Sequence, residues 1–339
     1  MSIKSAHMCF RSNSQPNDST GRRRIVWLVP PMLHNKSSVI KVLNFLSYFC
    51  YHIPMENLKL NTNDRVLILG GTGFIGSRLI SELSERKIKL RLLVRNPSKV
   101  SASILENRDI EVVKGDIVKG EGLREAASGI HTAYYLVHSM GGKSVKNNEF
   151  ARMDMDAAKN FIKAADEAGI KRVIYLGGLG EMGKDLSEHL RSRAEVAEIL
   201  SSGKPHATVL RAAVIIGAGG ASFIMLKYLV ERLPVMICPK WIDTRIQPIA
   251  VKDVLAYLTG CLLNTDTAGK KFDIGGPEVL TYREMMQQYT EAVGIRRRII
   301  FRVPVLSPHL AAYWVYLVTP IPAGIAHPLI EGLKNEVIC

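Results

Sequence analysis

Three glycines stand three residues apart in Gly70-Gly71-Thr72-Gly73-Phe74-Ile75-Gly76. Each can do something a larger residue cannot. Gly70 permits a tight turn, Gly73 keeps a Cβ out of the path of an approaching anion, and Gly76 lets a helix pack close to a strand. The turn follows the apolar run Val66-Leu67-Ile68-Leu69 and precedes Ile75, Leu79, Ile80 and Leu83, which fall at helical spacing. A glycine turn that ends a strand and opens a helix presents unpaired N–H groups and the positive end of a helix dipole. That is the chemistry of a pyrophosphate site. An ordinary glycine-rich turn is the competing reading, and the strand–turn–helix context favours binding. Gly70, Thr72, Gly73, Phe74, Ile75 and Gly76 are the expected dinucleotide contacts.

The next question is which dinucleotide. A ribose 2′-hydroxyl is usually met by Asp or Glu at the end of the second strand. Here that position reads Val94-Arg95-Asn96-Pro97-Ser98-Lys99, without an acid. A guanidinium at Arg95 suits a 2′-phosphate, with Lys99 or Arg78 in support. NADP(H) is therefore the expected cofactor, and NAD(H) is not excluded. Asp116 and Ile117, after the third strand, belong at the adenine end, with Asp116 expected to receive the adenine amine. His138 and Ser139, at the end of the fourth strand, face the cleft because ligands bind at the carboxyl ends of such strands.

These residues need a scaffold that repeats strand and helix. Strands are expected at Val66–Leu69, Leu90–Val94, Ile110–Val113, Ala133–Val137, Val173–Leu176 and Ala207–Leu210, each a short apolar run of the kind buried on both faces. A long helix is expected from Asn148 to Ala168, closed by Gly169, and another from Arg191 to Leu200. Helices are also expected near Phe223–Glu231 and Val254–Leu262, with a strand at Lys271–Ile274. Thr281-Tyr282-Arg283-Glu284 has capping-box spacing. Such alternation implies an α/β fold with parallel strands and right-handed crossovers, wound as a doubly wound sheet.

Composition narrows the function classes. The chain has 339 residues, 47% hydrophobic and 22% charged, which excludes global disorder. The net charge is +14, of which residues 1–54 supply +6 through seven Lys/Arg against Asp18. No nucleic-acid motif and no interleaved aromatics accompany that charge, so a nucleic-acid partner is not expected. Five scattered cysteines without a CxxC pair argue against a zinc site or disulfide scaffold and for a reducing, cytoplasmic setting.

Residues 1–54 read as separate from the rest. An organelle-import leader, a disordered arm or weak membrane anchor, and a dispensable extension ahead of a natural start at Met55 are the three readings, the last being preferred. Residues 55–300 are assigned to the dinucleotide-binding domain with inserted substrate-cleft elements. Residues 301–339 are assigned to an apolar lid or contact segment. Within it, 309–330 carries no Lys, Arg, Asp or Glu, but Pro320, Pro322 and Pro328 break it. A packing segment over the substrate cleft is the simpler reading, and contact with a membrane surface is the alternative.

Taken together, Gly70–Gly76, Val94–Lys99, Gly115-Asp116, Tyr134–Ser139, Val173–Gly180, Leu210-Arg211, Gln247–Val254 and Phe272–Pro277 resemble the atypical short-chain dehydrogenase/reductase superfamily. The likeness is to NmrA-like proteins and to relatives of the nucleotide-binding accessory subunit of respiratory complex I, and it extends from about Arg65 to the C-terminus. It implies a Rossmann sheet with a small C-terminal substrate-binding or lid region. Catalytic members use a Ser or Thr near the fifth strand and Tyr-x-x-x-Lys on the next helix. That register falls on His189-Leu190-Arg191-Ser192-Arg193, so His189 stands for the tyrosine, Arg193 for the lysine, and Gly177 or Gly178 for the serine. His189 is the expected acid/base and Arg193 the expected ribose or phosphate contact, while Ser139 or Tyr175 would orient a carbonyl. An NADP(H)-dependent oxidoreductase acting on a small apolar substrate is the leading expectation. A non-catalytic dinucleotide-binding sensor or assembly subunit is the alternative, favoured by the replaced catalytic positions.

Overall fold

The computed structural model describes residues 11–12, 64–138, 147–180, 187–303, 315 and 318–339. Seven parallel strands make the central sheet: β1 (Arg65–Leu69), β2 (Leu90–Val94), β3 (Ile110–Lys114), β4 (Ile130–Tyr135), β5 (Arg172–Gly178), β6 (His206–Ala212) and, much later in the chain, Lys271–Ile274. In space that last strand lies at one edge, followed by β6, β5, β4, β1, β2 and β3. The chain thus reverses direction between β1 and β4, which opens a crevice at their carboxyl ends. Of residues 1–54, expected to stand apart, the structure describes Arg11–Ser12, which pair antiparallel with Asp273 and Phe272 on the outer edge.

Alternation along β1 shows why the sheet is covered on both faces. Val66 and Ile68 point into one core layer with Leu79, Ile80 and Leu83 of helix α1 (Phe74–Glu85). Leu67 and Leu69 point into the other, with Phe161 of α4 (Asn147–Ala168) and Val196 and Leu200 of α5 (Glu188–Ser201). Short helices α2 (Ala102–Leu105) and α3 (Leu123–Ala127) complete the first half. Val66, Leu67, Ile68 and Leu69, four of the five β1 residues, are fully buried. Truncating Leu67, Ile68 or Leu69 to Ala would cost about 2–5 kcal/mol.

Beyond β6 the chain builds a second, smaller layer. It comprises β7 (Ile215–Ile216), α6 (Ala221–Arg232), β8 (Val235–Pro239), β9 (Arg245–Ile246) and β10 (Ile249–Ala250), while α7 (Val251–Leu263) returns to the first core and packs on α1 through Val254, Leu258 and Leu262. The edge strand Lys271–Ile274 is β11 in this order. After it come β12 (Leu280–Thr281), α8 (Tyr282–Ala292), β13 (Ile299–Val303) and α9 (Ala323–Gly332). The capping box is formed: Glu284 N–H donates to the Thr281 hydroxyl and Thr281 N–H donates to the Glu284 carboxylate.

Two of the boundaries that differ from expectation have a visible cause. The fourth strand begins at Ile130 rather than Ala133, because exposed His131 breaks the apolar run, and the register with β1 shifts past it between the pairs Arg65–Ile130 and Val66–Thr132. The fifth helix begins at Glu188 rather than Arg191, because Ser187 caps it by accepting the Leu190 N–H. That puts His189 inside the first turn. The apolar segment expected at 309–330 is partly described: Ile321, Ala326 and Ile330 are buried in a core with Leu179, Met225 and Met236. Among the described residues, no helix is long and apolar enough to cross a membrane.

Candidate functional site

The glycine turn is built as its spacing requires. Gly70 adopts φ +84°, and a Cβ there would lie 2.5 Å from the Leu136 carbonyl oxygen. The turn therefore sits directly on the end of β4. A Cβ on Gly76 would lie 2.2 Å from the Gly70 carbonyl oxygen, so only glycine lets α1 start this close to β1. Gly73 differs. A Cβ there would meet nothing within 4 Å except the Gly70 oxygen at 3.2 Å. Space is left open at the N-terminus of α1, which has no side-chain cap and no acid in its first turn. An anion fits there: a Cβ would fill the cradle, and the first N–H groups have no competing carboxylate.

The flanking contacts divide. Thr72 is exposed at the tip of the turn, and Arg95 is exposed at the end of β2. Phe74 packs against Gly217 and Gly220, and Ile75 packs against the core. Arg78 is committed elsewhere. Its guanidinium donates to the carbonyls of Phe74 and Ala218 and stacks on the Phe74 ring, tying α1 to the 217–220 turn. One Asp116 oxygen accepts the Val118 N–H at 2.9 Å and shapes its own turn. The Ile117 side chain is buried with Leu93, Val113 and Leu123.

Across the crevice, His138, His189 and Arg193 gather around Tyr175. The His138 Nε2–H donates to the Leu176 carbonyl at 3.1 Å, which fixes its tautomer and leaves Nδ1 as an acceptor. That Nδ1 is buried without a partner. Tyr175 is edge-on to the His138 ring and donates its hydroxyl to the Arg193 carbonyl. The hydroxyl expected to orient a substrate carbonyl is thus engaged with the backbone of α5. Ser139, the other residue expected in that role, lies outside the described residues.

Arg193 is 5% exposed and, among the described residues, meets no carboxylate in an ion pair. Its Nη2 donates to His189 Nε2 at 3.4 Å, and its Nη1 is buried with no partner. Burial lowers the guanidinium to about 9, against the opposing pull of the Tyr135 hydroxyl. Tyr135 Oη is a third buried polar atom without a partner here. Its pKa is raised by burial first and by Asp154 second, while Arg193 lowers it. Burial also holds His189 below its ordinary value, with Glu331 opposing.

The glycines at the serine position have a structural cause. A Cβ on Gly177 would lie 2.8 Å from the Tyr175 ring, and one on Gly178 would lie 3.1 Å from Leu190 and 3.4 Å from the Arg193 stem. The Tyr175 ring and the Arg193 stem thus take the room a serine side chain would need.

Some participants carry no sequence signal. Tyr135 reads as one more apolar strand residue. Asn335 accepts the Ser187 N–H at 3.2 Å, which ties the C-terminal segment to the start of α5. Glu331 reaches His189 from α9. Gln247 serves as a brace, donating to Gly276 O and accepting from Cys339 N–H.

Comparison with known proteins agrees with this geometry. Residues 70–215 match a family model described as NAD(P)H-binding. A "3-beta-hydroxysteroid dehydrogenase" from Mycolicibacterium neoaurum is 33% identical over 117 residues, 33% of this chain. That match spans 31% of the dehydrogenase's own length. A "Ceramide reductase" from Caulobacter vibrioides is 26% identical over 70% of this chain and 73% of its own. An Arabidopsis thaliana protein named "NADH dehydrogenase [ubiquinone] 1 alpha subcomplex subunit 9, mitochondrial" is 23% identical over 79% of this chain and 67% of its own. Among solved structures, a nucleoside-diphosphate-sugar epimerase from Staphylococcus aureus superposes with a TM-score of 0.63 at 20% identity, covering 80% of this chain and 91% of that one. At that identity the likeness speaks for the fold alone.

Proposed function

We propose, from the premise that this chain is an NAD(P)-binding protein of the atypical short-chain dehydrogenase/reductase superfamily, that it is an NADP(H)-dependent oxidoreductase acting on a small apolar substrate. The observation that carries this reading is the buried Arg193 Nη1, a charged donor without a partner on the face of α5 that the superfamily uses for catalysis. Leaving such a donor unsatisfied costs about 1–3 kcal/mol or more. A fold keeps it when a ligand supplies the acceptor.

The bound nicotinamide supplies or accepts the hydride. The rest falls to this chain. Gly73 and the N-terminus of α1 hold the pyrophosphate. Arg95 meets the 2′-phosphate, and Asp116 lies toward the adenine. Arg193 holds a ribose or substrate oxygen through Nη1. His189, kept neutral by burial, takes the proton from a substrate hydroxyl at Nε2 in the oxidising direction, once the Arg193 Nη2–H that occupies that lone pair has turned to the ligand. His138 offers its Nδ1 lone pair to a substrate or ribose hydroxyl. An apolar substrate is in keeping with two relatives named for steroid and ceramide chemistry.

A second reading is a non-catalytic dinucleotide-binding sensor or assembly subunit. Two observations favour it: no hydroxyl remains at Gly177 or Gly178, and the similarity to the Arabidopsis subunit runs over 79% of this chain. Calorimetric titration with NADPH and NADH, wild type against Arg95→Ala, tests the cofactor. The expected result is an NADPH Kd raised about tenfold or more in the variant, with NADH unchanged. A screen of apolar ketones and alcohols for NADPH oxidation or NADP+ reduction then separates the readings. Tight binding with no turnover would leave the sensor or subunit.

A further inference from the structure

β8 and β13 form a two-stranded parallel sheet apart from the central one, with Ile299 beside Val235 and Phe301 beside Ile237. Alternation sends the residues between them inward: Met236 is buried, and Ile300 packs against the same core. The other face points to solvent. Val235, Ile237, Ile299 and Phe301 are 48%, 65%, 56% and 58% exposed. They are four of the six exposed large hydrophobic residues among the described residues, and they lie on one face of one small sheet. Scattered apolar residues need no explanation, but a contiguous group with a polar rim marks an interaction surface.

The rim is basic. Neither 232–240 nor 296–302 contains an acid, and together they carry Arg232, Lys240, Arg296, Arg297, Arg298 and Arg302. Asp243 and Glu291 answer Arg302 and Arg297 from outside these segments. Lys240 and Arg296 are exposed. Two copies docked through this face would bring like charges together. A surface that is apolar within and anionic at its boundary is the complement. From Val303 onward the sequence has no Lys, Arg, Asp or Glu until Glu331, so charge also gives way to apolar chain next to this sheet.

We propose that the outer face of the β8–β13 sheet docks this protein onto an anionic lipid bilayer, with Ile237 and Phe301 entering the interface and the surrounding basic side chains meeting lipid phosphates. Apolar burial and attraction to anionic headgroups then add together, as they do for other interfacial elements. The inner face of the same sheet shares a core with Leu179, which follows β5, so docking would bring the cleft close to a source of apolar substrate. The proposal stands apart from the cofactor reading, since it uses none of the same residues.

The test is flotation of the full chain with vesicles of phosphatidylcholine alone or mixed with phosphatidylserine. Wild type is compared with Ile237→Asp/Phe301→Asp and with Arg296→Glu/Arg297→Glu. All substituted side chains are exposed or paired at the surface, and NADPH affinity and thermal melting report that each variant is folded. Binding to the mixed vesicles, weakened by added salt and reduced at least about tenfold in both variants, is the expected result. Three results would overturn the proposal: no preference of wild type for anionic vesicles, undiminished flotation of the variants, or loss in the variants of a dimer seen by light scattering without any vesicle binding.

Discussion

Arg193 Nη2 lies 3.4 Å from His189 Nε2, one turn apart on α5. A guanidinium can only donate, so the facing imidazole nitrogen must hold a lone pair. The two positions are therefore coupled: His189 beside this cation stays neutral, and the proton it carries sits on Nδ1. The superfamily register places an acid/base and a cation one turn apart, and here the same spacing holds an imidazole and a guanidinium, with the imidazole kept from protonation.

That coupling has a direction in pH. Burial lowers the His189 pKa from 6.5, Arg193 faces it from its own helix, and Glu331 pushes it back up from α9. In the reaction proposed above, neutral His189 is the active form in the oxidising direction. The rate should be flat across neutral pH and fall only in acid, below 6.5. Glu331→Gln should move the acid limb lower still. His189→Ala should lose about 10²-fold or more in kcat and keep cofactor affinity. Stability follows the same sign. Below 6.5 the unfolded chain takes a proton that folded His189 refuses, so the melting temperature should fall as pH drops, and less so in His189→Gln. A pH–rate profile unchanged by both substitutions would remove His189 from the chemistry.

Arg193→Met should separate stability from function. The guanidinium is buried without a carboxylate in contact, so an apolar residue of similar length removes a desolvation cost. Thermal melting should be unchanged or higher, while kcat/KM falls at least about tenfold for want of a charged donor to the ligand. A variant that melts earlier and still turns over would show that Arg193 serves the fold instead.

Two glycines of the turn should respond oppositely. Gly76→Ala forces a Cβ to 2.2 Å from a backbone oxygen and should destabilise the domain by about 1–3 kcal/mol. Gly73→Ala meets one atom at 3.2 Å and should leave stability within about 1 kcal/mol, yet obstruct the approach of the pyrophosphate. Melting and NADPH titration of the pair check this. Equal behaviour of the two variants would deny Gly73 a separate role in binding.

Restoring the missing serine should fail. Gly177→Ser places a side chain 2.8 Å from the buried Tyr175 ring, an overpacking that costs about 1–3 kcal/mol. Turnover should not rise. A faster Gly177→Ser enzyme of normal stability would mean that the ring yields and that the family's usual serine chemistry is still available.

By itself the sequence determined the scaffold and the glycine turn between β1 and α1. Strand runs such as Val66–Leu69, the helix after them and the glycines between depend on local periodicity and on the space each residue occupies, and both can be read along the chain. The Thr281 capping box is local for the same reason. Only the tertiary structure decided the other end. Tyr135 became a buried polar group, Tyr175 turned its hydroxyl to the Arg193 carbonyl, Arg78 bonded to the Ala218 carbonyl, and Glu331 and Asn335 came back to the start of α5. Each of these depends on a partner far away in sequence. Whether a hydroxyl or guanidinium is engaged or left for a ligand is set by what packs against it across the fold, and no spacing along the chain encodes that.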